Sequence, residues 1–171
     1  MPEKKHRREM ADARPGQKPI LITRVFDAPP ELVWKAWTDP KHLVRWWGPK
    51  TFTSPSCSVD FRVGGKYLFC MRSPEGKDYW STGVYREIVP LRRIVYTDNF
   101  ADEDGKIVPP SFYDFPDENW AEELLVTLTF EAVKGRTTMT LRHEGFPDAH
   151  HITLASLGWN ESLDKLAQSI H

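Results

Sequence analysis

Hydrophobic and polar residues alternate along most of this chain in runs of strand length, and the pattern changes to helical spacing near both ends. Residues 19–26 (PILITRVF) form a β-type run. DAPPELVWKAWTDP follows, with Asp27 shortly ahead of two prolines, which is a helix-start signal. Val33, Trp34 and Trp37 then fall at helical spacing. Asp39-Pro40 starts a second helical turn, PKHLVRWWG, and Gly48-Pro49 stops it. The last periodic segment, residues 152–170, reads as one long helix. Its stripe is Ile152, Ala155, Trp159, Leu163, Leu166 and Ile170, and the small Ala155 leaves room beside Trp159.

Between these ends lie six strand-like runs. Residues 52–61 and 66–72 flank Val63-Gly64-Gly65, a hairpin signal. A three-residue loop pairs Phe61 with Tyr67 and Cys57 with Met71, which puts both apolar sets on one face. A two-residue loop would set Cys57 opposite Cys70 and place Asp60 among the aromatics. A one-residue slip flips every side chain, so the two registers exclude each other. The first is preferred, and it predicts free thiols at Cys57 and Cys70 pointing to opposite faces. Residues 79–89 and 93–99 make a second hairpin around Pro90-Leu91-Arg92. Leu124, Val126, Leu128 and Phe130 alternate cleanly, as do Thr137, Met139, Leu141 and His143 beyond a turn at Lys134-Gly135. The connection 100–122 is acidic, aromatic, proline-rich and longer than usual, a feature of functional loops. Residues 1–18 are polar without an apolar period and are expected to be a mobile tail, leaving 19–171 as the domain.

The order β–α–α–β×6–α predicts an α+β domain of the helix-grip type. A curved antiparallel sheet wraps a long C-terminal helix, with two short helices after the first strand. Such a sheet and helix can enclose an apolar pocket.

Composition narrows the function. A 40% apolar and 27% charged chain suits a soluble globular protein. A net charge of −1 gives no general pull toward nucleic acid. No apolar run approaches the roughly 20 residues of a membrane span, and the N-terminus lacks a signal-peptide pattern, so a cytoplasmic protein is expected. Two cysteines alone make neither a disulfide framework nor a zinc site, and no cofactor or metal is implied. No nucleophile motif is present.

Seven tryptophans mark either a large aromatic core or an aromatic-lined cavity. The candidate pocket residues are Trp37, Trp47, Tyr67, Phe69, Met71, Trp80, Tyr96, Met139, His143, Trp159 and Leu163. Trp34 and Trp37 pack the first helix on the sheet. Trp46 and Trp47 are adjacent, so both cannot face the core fully. Trp80 and Trp120 border loops and are candidates for a lid. His143 follows Met139 and Leu141 on the inward face, where an imidazole can orient a ligand or move a proton; a hydrogen-bonded core or edge histidine is the alternative. His150-His151 are expected in a solvated loop. Asp60, Arg62, Arg86 and Glu87 are expected on the solvent face. An inward charge would need a partner and would be the natural ligand anchor, but the pattern does not say which residue that is.

Four segments carry a resemblance: ITRVFDAPPELVWKAWTDPKHLVRWWGP, VDFRVGGKYLFCM, GVYREIVPLRRIVYTD and GWNESLDKLAQSI. In order and spacing they resemble the homologues of the activator of heat-shock protein 90 ATPase, within the START-like or SRPBCC group, over residues 19–171. The resemblance implies the helix-grip fold of the birch-pollen allergen. Relatives on that fold bind lipids, sterols, plant hormones or polyketides, and some catalyse cyclisation. Three functions are therefore expected in this order. The first is binding of a small, largely apolar ligand with one or two polar handles. The second is a stress-related or co-chaperone interaction module using residues 100–122. The third is a cyclase- or hydrolase-like enzyme using His143. A monomer or a homodimer is compatible with each.

Overall fold

Seven antiparallel strands follow one another through the computed structural model, which describes residues 18–170. The expected tail, residues 1–18, lies outside the described residues apart from Lys18. Strand β1 (Ile20–Phe26) is followed by helices α1 (Pro30–Thr38) and α2 (Pro40–Leu43). Then come β2 (Cys57–Val59), β3 (Lys66–Arg72), β4 (Asp78–Val89), β5 (Arg93–Ala101), β6 (Leu124–Val133) and β7 (Arg136–Glu144). Helix α3 (Ala149–Ser169) ends the chain. The sheet order is β1-β7-β6-β5-β4-β3-β2, so every neighbour but β1–β7 is consecutive in sequence. This is the expected α+β architecture.

Local chemistry sets the element ends. Pro30 opens α1 where a helix needs no N–H donor, and the Asp39 carboxylate accepts from the Lys41 amide at 2.9 Å to cap α2. The β6–β7 turn places Lys134 at φ 51° and Gly135 at φ 78°, a two-residue turn with both φ positive that follows the strand twist. Gly83 is required for another reason. A Cβ there would collide with the Thr97 carbonyl of β5.

Two expectations need correction. In the first hairpin, Cys57 pairs with Phe69 and Val59 with Tyr67, in place of Cys57 with Met71 and Phe61 with Tyr67. The loop is longer than three residues because Asp60–Gly65 forms its own turn, in which the Asp60 amide bonds to the Lys66 carbonyl and the Gly65 amide to the Arg62 carbonyl. The slip is two residues, an even number, so the faces are unchanged. Both cysteines are free, with Cys57 on the Phe69 face and Cys70 paired to Trp80 on the other. The second correction concerns α3, which begins before residue 152. Asp148 caps it by accepting from the His151 amide, so His150 and His151 lie in the first helical turn and not in a loop.

Helix α3 is held across the sheet by polar ties as well as by its apolar stripe. Arg24 of β1 bonds Asp164 at 2.7 Å and the Asn160 carbonyl at 2.9 Å. Lys165 donates to the carbonyls of Gly48, Pro49 and Phe52 at 3.0, 3.1 and 3.0 Å. These ties fix the helix against β1 and against the loop that follows α2. The core between helix and sheet includes Leu163, Leu166, Met139, Leu141, Val126, Leu128 and Trp46, all fully buried.

Candidate functional site

The space between α3 and the sheet is occupied by rings. Trp37 meets Trp46 at 4.6 Å between centroids, Trp46 meets Trp47 at 5.5 Å, and Trp47 meets Phe69 at 4.6 Å and Trp159 at 5.6 Å. Tyr67 stacks on Phe69 at 4.3 Å and stands edge-on to Tyr96 at 5.3 Å. The adjacent Trp46 and Trp47 divide as their spacing requires. Trp46 is fully buried, with its N–H on the Ala36 carbonyl, while Trp47 is half-buried.

A polar chain runs through this aromatic layer. The Trp159 indole N–H donates to His143 Nδ1 at 3.0 Å. That acceptor role puts the hydrogen of a neutral His143 on Nε2. Nε2 faces Asp98 Oδ2 at 3.0 Å, close but out of line for a well-formed hydrogen bond. Asp98 Oδ1 lies 3.3 Å from the Tyr67 hydroxyl, which also donates to the Thr97 carbonyl at 2.7 Å. Burial, and then the Asp98 carboxylate, push the Tyr67 and Tyr96 phenols well above the usual tyrosine range, so both are neutral donors. Among the described residues, the Tyr96 hydroxyl and the Trp37 indole N–H are buried without any hydrogen-bond partner. An unsatisfied buried donor costs about 1–3 kcal/mol, which makes these two atoms exceptional in a well-packed core.

The sequence-derived candidates mostly converge here. Trp37, Tyr67, Phe69, Tyr96, Met139, His143 and Leu163 are buried, and Trp47 and Trp159 join them half-buried. Met71 is at the margin, beside Gly48. Trp80 stands apart, since it pairs with Cys70 on the opposite face of the sheet. Asp60, Arg62, Arg86 and Glu87 are exposed, as expected. The inward charge is instead Asp98, whose side chain keeps only 24% of its exposure. Sequence reasoning passed over it, although Ile94, Tyr96 and Asp98 fall two apart on one strand and so share a face.

A cleft of about 310 Å³ opens beside this region, where the ends of β5 and β6 meet the long connection. Asn99, Phe100 and Leu124 line it from the strands, and Ile107, Asp117, Trp120 and Glu122 from the connection. Leu124 is the cross-strand partner of Asp98. Trp120 packs on Phe100 at 5.4 Å and on His151 of α3 at 5.4 Å, so the connection covers this end of the helix. No helix of the described residues is long and apolar enough to cross a membrane.

Among curated proteins, none matches. A structure from Chromobacterium violaceum is 32% identical, with a TM-score of 0.72 over 90% of this chain and 96% of that one. A protein from Arthrobacter aurescens is 26% identical, with a TM-score of 0.72 over 90% and 86%. The AHSA1 protein from Silicibacter pomeroyi shares the fold at 24% identity, with a TM-score of 0.72 over 89% and 96%. The profile described as activator of Hsp90 ATPase homolog 1-like protein matches residues 27–171, and the chain belongs to that family.

Proposed function

We propose that the protein binds a small, largely apolar molecule between α3 and the inner face of the sheet. The observation that carries this reading is the pair of buried, unpartnered donors, Tyr96 Oη and Trp37 Nε1, in an aromatic layer that also holds Asp98 and His143. Each of these donors costs stability in a core that leaves it unpaired. A ligand's polar handle would satisfy such donors, while its body would replace ring contacts of Trp47 and Trp159. The test is a screen of lipids, aromatic compounds and hormone-like molecules, read by tryptophan fluorescence and melting temperature. Binding is expected to quench the fluorescence and raise the melting temperature. A broad screen that moves neither rejects the reading.

The His143–Asp98 contact favours a second reading, acid–base turnover of the bound molecule. On that reading, His143→Ala abolishes turnover while binding persists. Loss of both together points to a binding role alone.

A further inference from the structure

We infer that the interior site selects neutral ligands whose polar group is a hydrogen-bond acceptor, such as an aromatic ketone, and rejects carboxylic acids. This rests on the binding reading above and adds the ligand's chemistry to it.

The inference follows from counting what the inner face has left to offer. Two of its buried polar atoms, Tyr96 Oη and Trp37 Nε1, carry hydrogens that have no acceptor, while the acceptor Asp98 is partly exposed at the edge of the network. The His143 Nε2–H, fixed by the bond from Trp159 to Nδ1, has only an off-line carboxylate oxygen. The Tyr67 hydroxyl is already used by the Thr97 carbonyl. A ligand whose group only donates would therefore leave the Tyr96 and Trp37 donors as unsatisfied as before. One that presents a carbonyl oxygen relieves at least one of them.

Charge separates a ketone from a carboxylate. The ionisable group next to Tyr96 and His143 is Asp98, an acid. The cations that tie down α3 are engaged: Lys165 by three backbone carbonyls and Arg24 by Asp164 and Asn160. An incoming carboxylate would meet a like charge, with Lys165 and Arg24 already engaged, a costly arrangement away from water. The surface beside Asp98 is also negative. Asp98 is the partly exposed member of the network, and its neighbours Asn99, Phe100 and Leu124 line the cleft. Residues 100–124 carry eight Asp or Glu against a single lysine, Lys106, and among the described residues only Asp114 and Glu123 of those acids pair with cations from elsewhere, Lys77 and Arg86. That field lowers the local concentration of anions at this surface. Trp159 is the ring best placed to yield to a ligand, because it is half-buried and the small Ala155 lies one turn before it on α3.

The experiment uses the intact chain and naphthalenes that differ only in the substituent: ethyl, acetyl, carboxylate and aminomethyl. Calorimetry gives the affinities, and amide NMR shifts at Tyr96, Asp98 and His143 locate the site. The acetyl compound is expected to bind about tenfold more tightly than the ethyl compound, one charge-free hydrogen bond's worth. The carboxylate is expected to bind more weakly than both. An advantage carried by Tyr96 is erased by Tyr96→Phe and one carried by Trp37 by Trp37→Phe, each with its fold checked by thermal melting, and an advantage that survives both overturns the inference. If ethyl and acetyl bind equally, or if the carboxylate or the amine binds most tightly, the ligand class is wrong while the binding reading stands. If none of the four binds or shifts these amides, both fall.

Discussion

Trp159→Phe removes an indole N–H and a few ring atoms from the centre of the molecule, and its consequences can be worked out in advance. The N–H donates to His143 Nδ1 at 3.0 Å, and His143 is 5% exposed, so water cannot take its place freely. The acceptor left behind costs about 1–3 kcal/mol. The lost ring atoms add about 1 kcal/mol by the area they no longer bury. The sum is roughly 2–4 kcal/mol, and a chain of this size loses about 3 °C of melting temperature per kcal/mol. His143→Leu removes the other partner and is expected to cost a similar amount. The two losses should not add. In the double variant neither an orphaned acceptor nor an orphaned donor remains, so a coupling of about 1–2 kcal/mol is expected. Urea unfolding of the wild type, both single variants and the double variant measures it. A coupling below about 0.5 kcal/mol would show that the contact is a packing neighbour only, and the polar chain from Trp159 to Tyr67 would lose its first link.

Other consequences follow from the same geometry. Tyr96→Phe should leave ligand-free stability unchanged or raise it by up to about 1 kcal/mol, since it deletes an unsatisfied buried hydroxyl; a loss above about 1 kcal/mol in urea unfolding would mean the hydroxyl has a partner. Lys165→Met keeps the aliphatic stem but orphans three carbonyls, so a loss of about 2–4 kcal/mol is expected, and a loss under about 1 kcal/mol would demote this tie between α3 and the loop after α2. Burial pushes the Cys57 thiol up to about 11, and burial and then Asp78 push Cys70 up to about 11. Burial, and then Asp98, also push the Tyr67 and Tyr96 phenols well above the usual tyrosine range. Groups whose folded values lie above their unfolded ones contribute stability that is complete below the unfolded value and is lost as pH rises beyond it. The urea midpoint is therefore expected to be insensitive to these groups up to about pH 8.5, to fall as the unfolded thiols ionise, and to fall more steeply from about pH 10 as the unfolded phenols follow. A midpoint that stays flat to pH 11 would show that these groups are not buried in their neutral forms.

Much of this protein was legible in the order of its residues. Two-residue alternation along Leu124–Val133 and Arg136–Glu144 assigns each side chain to a face whatever the neighbouring strand does, which is why His143 was expected inside and is found there. Helical spacing from Ile152 to Ile170 likewise marks the buried stripe of α3, and four segments in a fixed order carry the family. Register is a weaker inference. The apolar faces of the first hairpin match equally well when slipped by two residues, and only the turn closed by Asp60 and Gly65 decides between those pairings.

The polar chain was beyond sequence reasoning for a different reason. Asp98, His143 and Trp159 sit on β5, β7 and α3, and each is unremarkable within its own element. They meet because Arg24 and Lys165 fix α3 across the sheet, so that the Trp159 N–H reaches His143 Nδ1 while Nε2 faces Asp98. A hydrogen bond fails with a shift of an ångström, and nothing in a hydrophobic period specifies position that finely. The sequence by itself therefore determined the architecture, the inward faces and the family. Only the tertiary structure decided that the grip is filled with aromatic rings, that its inward charge is Asp98, and that the donors of Tyr96 and Trp37 are left without acceptors.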